Sequence, residues 1–144
     1  MNSSPEIEAI VEEAAKIAHT KRHEYVLTEH LLLALIRHQP FRKTLEKFGT
    51  EIALLDLEIE AYVDSLVGLI KDIEDLQPKK TQTLERIFNR ANVQAMFTGR
   101  RNLTTADLYL SIMSENNSHA HHFLLKYGVK KSEFVEFWNR TPLS

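Results

Sequence analysis

The sequence predicts an all-α domain of eight helices, arranged as two four-helix halves. The first observation is an internal repeat: the pattern of Glu8–Gly49 returns 77 positions later in Glu85–Gly128, where it contains two extra residues. A repeat of this length is typical of two copies of one supersecondary unit. The second observation is that apolar residues recur at helical spacing, and the third is that the few glycines and prolines lie between these periodic segments.

The first half contains four predicted helices. The first begins at Ser4-Pro5-Glu6, where the serine can cap the helix and the proline suits its first turn. Leu31–Ile36 is apolar on all sides and predicts a buried second helix, because leucine and alanine outnumber β-branched residues. A third helix runs from Pro40 to Gly49, a glycine placed where a left-handed C-cap is needed, and a fourth runs from about Glu51 to Leu66.

The second half repeats this order after a connector at residues 68–80, which carries a glycine, a proline and mixed charge. We therefore divide a single domain, residues 1–144, into repeat one (about 5–67), a linker (about 68–80) and repeat two (about 81–140). The predicted landmarks of repeat two are a helix from Thr83 to Gly99, a cap at Thr104 or Thr105 before Leu108–Met113, Gly128 closing the seventh helix, and Ser132 capping the last.

Composition narrows the class of protein. The chain has 144 residues, 43% of them hydrophobic and 26% charged, which is typical of one globular domain with a real core. The net charge of −2 gives no global basic field for nucleic acid or an acidic membrane. No apolar run approaches the roughly 20 residues that span a bilayer, and the first residues do not resemble a signal peptide. With no cysteine, the sequence favours a cytoplasmic location.

Recognisable catalytic motifs are absent from the sequence. It has no GxxxxGK[ST] phosphate loop, no GxGxxG and no GxSxG, so nucleotide hydrolysis and serine-type acyl transfer lack their usual machinery. Paired carboxylates such as Glu12-Glu13 lie where solvated helix faces are expected. We therefore predict a protein that is not an enzyme and needs no cofactor.

Histidines and basic residues are the remaining candidates for function. His19 and His23 are four residues apart, which would place both imidazoles on one helix face as a weak candidate metal site; exposed histidines at a helix end are the alternative. A metal-dependent hydrolase would follow from the first interpretation. Arg86 and Arg90 are also four residues apart, and Arg100 follows after the turn that ends this helix. These cations form either a solvated face or a docking patch for a protein partner.

The stretch from Arg22 to Ile36, RHEYVLTEHLLLALI, resembles a hallmark of the Clp N domain, the helical repeat domain at the front of Clp AAA+ unfoldases, and most closely the ClpA type. The similarity continues through Leu45–Gly49, Leu55–Ile59, Arg86–Arg90 and Leu124–Val129. It implies a pseudo-twofold, eight-helix domain that recruits adaptors and substrates to an ATP-driven ring partnered with a protease, itself not present here. A monomer is expected for the isolated chain.

The resemblance also implies site residues. ClpA-type domains dock the small adaptor ClpS, and the family positions used for docking correspond to Glu24, Glu29, Arg90 and Lys131, with Arg86 and Arg100 as additional candidates. All four main positions keep the family's charge sign. Related ClpC-type domains place a glutamate in each half and bind phosphoarginine, whereas the second position here is Ala106.

The sequence departs from the family pattern at the start of the second helix. Leu27 stands where the family has a capping threonine, while Thr104 keeps that residue in the second half, so the two helix starts should differ. Two other functions stay open beside adaptor docking. One is a free-standing homologue that acts as a decoy or regulator of the adaptor. The other is direct binding of unfolded segments in an apolar groove, with Phe41, Phe97 or Met113 in its lining.

Overall fold

The computed structural model describes residues 4–140, which form eight α-helices and two very short strands. The prediction of an all-α fold with eight helices is confirmed. The first and fifth helices start 77 positions apart and both have 16 residues, so the repeat in the sequence is a repeat in the structure. The elements are α1 (Pro5–Thr20), β1 (Tyr25–Val26), α2 (Thr28–Arg37), α3 (Gln39–Phe48), α4 (Ile52–Asp64), β2 (Lys79–Lys80), α5 (Gln82–Phe97), α6 (Thr105–Met113), α7 (His119–Lys126) and α8 (Lys131–Arg140).

The starts of α1 and α5 use the same local chemistry. Ser4 Oγ accepts a hydrogen bond from Ile7 N at 3.3 Å, and Thr81 Oγ1 accepts one from Leu84 N at 3.4 Å. Each bond satisfies one of the backbone N–H groups that the first turn of a helix leaves without a partner. Ser4 was predicted from the sequence, whereas Thr81 lies two residues before Thr83, where the helix of repeat two was expected to begin.

The core is continuous across both repeats. The helix α2 is buried on every side from Thr28 to Ile36, as the all-apolar segment predicts. Phe41, Tyr109 and Phe134, which come from α3, α6 and α8, are all fully buried. The ring centroid of Tyr109 is 5.1 Å from that of Phe41 and 4.9 Å from that of Phe134, in edge-to-face arrangements that favour aromatic packing. These contacts join repeat one to repeat two.

Two short strands are an exception to the predicted all-helical chain, and one of them lies in the linker. β1 and β2 pair in parallel over two residues, and His23 forms an isolated antiparallel bridge with Ile70. The linker also begins with a 3₁₀ turn at Val67–Leu69. Short extended segments of this kind have no periodicity long enough to be predicted from the sequence.

Several predicted boundaries were wrong by a few residues. α8 begins at Lys131, so Ser132 lies inside the helix and does not cap it. α4 ends at Asp64 instead of Leu66, and the 3₁₀ turn follows at Val67–Leu69. α2 starts three residues before the apolar segment from which it was predicted, whereas the predicted cap of α6 at Thr104 is confirmed. None of the described helices is long and apolar enough to cross a membrane.

Candidate functional site

Glu24 lies in the loop between α1 and α2, and the linker fastens this loop. The backbone N of Glu24 donates to Leu69 O at 2.8 Å, and the O of Glu24 accepts from Lys79 N at 2.8 Å. On its other side, Lys71 N donates to Arg22 O at 2.8 Å. The half-buried Glu24 therefore sits on a backbone that is held at both of its peptide groups. The linker thereby positions the first of the predicted site residues.

Glu29 occupies a different environment from the one expected for a docking residue. Its side chain lies in the interior, with only 5% of the residue exposed. Its Oε2 accepts a hydrogen bond at 2.9 Å from Ala120 N, in the first turn of α7. Glu29 itself lies in the first turn of α2, so one carboxylate faces the positive ends of two helices. In the structure Glu29 joins the two repeats, a role that the sequence pattern does not reveal.

Arg86 and Arg90 share one carboxylate, that of Glu115, which sequence reasoning missed. Arg86 donates to both oxygens of Glu115, at 2.9 and 2.7 Å, and Arg90 donates to one of them at 2.8 Å. Hydrogen bonding from Arg86, assisted by Arg90, lowers the pKa of the Glu115 carboxyl to about 2, against the opposing effect of burial. The only sequence feature that could have suggested this cluster is the i, i+4 spacing of the two arginines.

The two arginines differ in what they leave available to a partner. Arg90 also donates to the backbone O of Ser111 at 2.8 Å and to its Oγ at 3.0 Å, which fixes α5 against α6. The side chain of Arg86 is 58% exposed, compared with 35% for Arg90. Arg90 is thus mainly a clamp within repeat two, and Arg86 presents more of its charge to solvent.

Lys131 lies next to this cluster, at the start of α8. Its Nζ donates to Ser114 Oγ at 3.1 Å, and Ser114 directly precedes Glu115 in the chain. Glu29, Arg86 and Glu115 in turn line a common cavity of about 240 Å³ at the junction of the repeats. The structure therefore brings Glu29, Arg86, Arg90 and Lys131 around the loop between α6 and α7. Glu24 is not among the residues that line this cavity, and it lies on the loop that the linker holds.

Arg100 is occupied within its own repeat. Its Nη1 and Nη2 donate to the two carboxylate oxygens of Asp107, and it also donates to Thr104 Oγ1 at 3.3 Å. Asp107 in turn accepts from Thr104 N at 2.9 Å and closes a capping box at the start of α6. Hydrogen bonding to Asp107 raises the pKa of the Arg100 guanidinium above its usual range. Arg100 thus stabilises a helix start and is a weaker candidate for binding than Arg86.

The predicted pairing of His19 and His23 on one helix face was wrong. α1 ends at Thr20, and the left-handed residue Arg22 (φ 57°) turns the chain before His23. His19 is exposed, whereas His23 is buried against His30. Among residues 4–140, no group of three or more histidine, aspartate or glutamate side chains is arranged to hold a metal ion.

Of the three residues expected to line an apolar groove, two are in the core. Phe41 is fully buried and Met113 nearly so, while Phe97 is 82% exposed. Val93 and Met96 are also exposed on α5, and Val93 precedes Met96 by three residues and Phe97 by four, so that it lies one helical turn from both. The C-terminal part of α5 therefore carries an exposed apolar stripe.

Comparison with known proteins identifies the family. The sequence model of the Clp repeat (R) N-terminal domain matches residues 2–127. The chain belongs to this family. It is 27% identical over 135 residues to a ClpA homologue of Fuscovulum blasticum, in an alignment that covers 93% of the chain and 17% of that protein. The chain thus spans about a sixth of the curated relative that it matches.

Solved structures agree on the fold. The N-terminal domain of Hsp104 from Candida albicans superposes with a TM-score of 0.82 at 10% identity, covering 97% of this chain and 91% of the other. The N-terminal domain of ClpD from Arabidopsis thaliana gives a TM-score of 0.72 at 14% identity, covering 96% and 93%. The Clp N domain is an accessory domain of AAA+ unfoldases, a module for substrates and adaptors that lies outside the catalytic ATPase.

Proposed function

We propose that this Clp N domain docks an adaptor of the ClpS type and so delivers substrates to a Clp unfoldase. The observation that carries the proposal is the gathering of Arg86, Arg90 and Lys131 around one loop at the junction of the repeats. Family membership supports a recruiting role, because Clp N domains act as accessory modules. A chain acting alone as a decoy for the adaptor would use the same surface.

The contacts divide the predicted residues into two groups. Glu24 and Lys131 are the direct contacts that we propose, because each presents a charge that is at least partly open to solvent. Arg90 and Glu29 hold the geometry of the surface from behind, through Ser111 and through the N-terminus of α7. The opposite charges of Glu24 and Lys131 would orient the partner and speed its association more than they would add affinity.

The test is a calorimetric titration of purified ClpS into the chain and its variants. Glu24→Lys and Lys131→Glu should each weaken binding by about tenfold, because each places a like charge against a partner surface complementary to the native one. Lys43→Glu, an equivalent charge change on the exposed face of α3, should leave the affinity unchanged.

Two results would contradict the proposal in different ways. No binding of ClpS to the native chain at high micromolar concentration would remove the adaptor function. Native-like binding by both Glu24→Lys and Lys131→Glu would keep the function and move the interface elsewhere.

Glu29→Ala separates support from docking. Loss of a buried carboxylate that caps a helix costs about 1–2 kcal/mol, so the free energy of unfolding in urea should fall by that amount. At a temperature where the variant is folded, its affinity for ClpS should change less than that of Lys131→Glu. A large loss of affinity with unchanged stability would instead place Glu29 in the interface.

The exposed stripe of Val93, Met96 and Phe97 favours a second candidate, direct binding of unfolded segments. This activity would appear as suppressed aggregation of a denatured test protein without any adaptor. Phe97→Asp should abolish the suppression, and Leu57→Asp, at another exposed apolar position on α4, should not. Equal suppression by both variants would exclude the stripe as the binding site.

A further inference from the structure

A cleft of about 320 Å³ opens in repeat two between the end of α6, the face of α7 and the start of α8. Its walls are mainly apolar: Met113, Leu124 and Val129 form a nearly buried floor, and Leu125 stands at the edge with 56% of its surface exposed. A concave apolar surface with a few polar groups at its edge is the usual form of a binding pocket.

At the matching place in repeat one the backbone makes an equivalent contact, but the side chains differ. His121 Nδ1 donates to Met113 O, and at the corresponding place in repeat one Arg42 donates to Ile36 O at 3.4 Å. These paired bonds show that Arg42 and His121 occupy matching positions. The side chains around these two bonds can therefore be compared position by position.

Repeat one carries a cluster of ion pairs at this place. Arg37 donates to the two carboxylate oxygens of Asp56, at 3.0 and 2.8 Å, and Arg42 donates to one of them at 3.3 Å. In repeat two the residue that matches Arg37 is Ser114 and the one that matches Asp56 is Val135. A small and an apolar residue thus replace a long cation and its carboxylate, and Ser114 lines the cleft.

The edge of the cleft is polar and favours an anionic ligand. Lys131, Asn116 and His121 contribute to the lining, and no aspartate or glutamate does so within the described part of the chain. Glu115, which lies between Ser114 and Asn116 in the chain, is already held by Arg86 and Arg90. Lys131 donates one hydrogen bond to Ser114 and keeps two further N–H groups for a ligand.

We propose that this cleft binds an extended segment of a partner protein in which a bulky aliphatic side chain lies next to aspartates or glutamates. The aliphatic side chain would rest on Met113, Leu124 and Val129, and a neighbouring carboxylate would pair with Lys131. This inference rests on the proposed docking function and names the chemistry of one contact at the same surface.

The test uses a fluorescein-labelled heptapeptide with one leucine between two aspartates on each side and a glycine at each end. It should bind the full chain saturably, as measured by fluorescence anisotropy. Leu125→Asp and Ser114→Arg should each weaken binding at least tenfold, the first by charge repulsion at the edge and the second by placing a long side chain in the lining of the cleft. Leu57→Asp is the matched control, since Leu57 is a similarly exposed leucine on α4.

Changes in the peptide provide the second arm. Replacing its leucine by alanine, or its aspartates by lysines, should each remove saturable binding. Binding that survives both peptide changes, or that persists in both cleft variants with native circular dichroism, would overturn the inference.

Titration of intact ClpS separates this inference from the proposed function. If ClpS binds and the peptide does not saturate up to millimolar concentration, the cleft inference is wrong and adaptor docking stands. If the peptide binds and ClpS does not, the adaptor proposal is wrong and the cleft remains a site for another acidic partner.

Discussion

The loops after α1 and α5 have the same backbone course, but a neutral side-chain pair stands in one and an ion pair in the other. Each turns through one left-handed residue, Arg22 with φ 57° in repeat one and Gly99 with φ 75° in repeat two. The next residue then pairs with one seven positions later. In repeat one this pair is His23 with His30, and in repeat two it is Arg100 with Asp107.

Both pairs perform the same backbone task. His30 Nδ1 accepts from Leu27 N at 2.8 Å, as the Asp107 carboxylate accepts from Thr104 N at 2.9 Å. Because Nδ1 of His30 is an acceptor, its Nε2 carries the proton and donates to His23 Nδ1 at 2.9 Å. A neutral hydrogen-bonded pair thus replaces an ion pair. The comparison teaches that the fold specifies the position of an acceptor at the helix start, and not its charge.

The largest effect on stability should come from removing the ion pair of Arg100 and Asp107. Asp107→Ala removes the acceptor for Thr104 N and leaves Arg100 without its partner, which should lower the free energy of unfolding by about 3 kcal/mol. Urea denaturation at pH 7.5 measures this change. Asp72→Ala is the control, because Asp72 forms an ion pair with Arg22 that is fully exposed and should cost under about 1 kcal/mol. Equal costs for the two variants would show that burial of Asp107 does not matter.

The pair of His23 and His30 should make the stability of the domain depend on pH. Burial, together with the charges of His23 and Lys21, lowers the pKa of His30 from 6.5 to about 4 in the folded state. The unfolded chain therefore binds more protons between pH 6.5 and 4. The stabilisation is complete above pH 6.5 and is lost as the pH falls toward 4, by at most about 3 kcal/mol.

The measurement is urea denaturation at pH 7.5 and pH 4.5. The double variant His23→Arg/His30→Asp copies the pair of repeat two and removes both imidazoles, so it should lose less stability over this range than the native chain. An unchanged pH dependence in the double variant would assign the effect to other groups.

The smallest effect should come from the left-handed residues. Gly99→Ala places a Cβ in a left-handed conformation and should cost about 1 kcal/mol. Arg22→Ala should cost less, because a residue with a Cβ already accepts that conformation in repeat one. Thermal unfolding of the two variants would compare them, and a larger loss for Arg22→Ala would contradict the equivalence of the two turns.

The parts of this comparison that could be predicted are those with local causes. The repeat and the helices follow from apolar periodicity, and the difference between Leu27 and Thr104 as helix starts follows from side-chain chemistry. The role of Glu29 could not be predicted, because its partner Ala120 is 91 residues away in the chain. Glu115 was missed for the same reason: its effect depends on two arginines from another helix. The cleft could not be predicted either, because its lining comes from three helices and the loops between them.

The ion-pair cluster of Arg37, Asp56 and Arg42 has a consequence for valency. A domain with strict twofold symmetry would offer two equal clefts, and a partner could dock in either of two opposite orientations. If the cleft of repeat two binds a partner as we propose, the ion pairs at the matching place in repeat one would make the domain monovalent and directional at this surface. A bound partner would then present the same end every time, and each copy of the domain would carry one partner only.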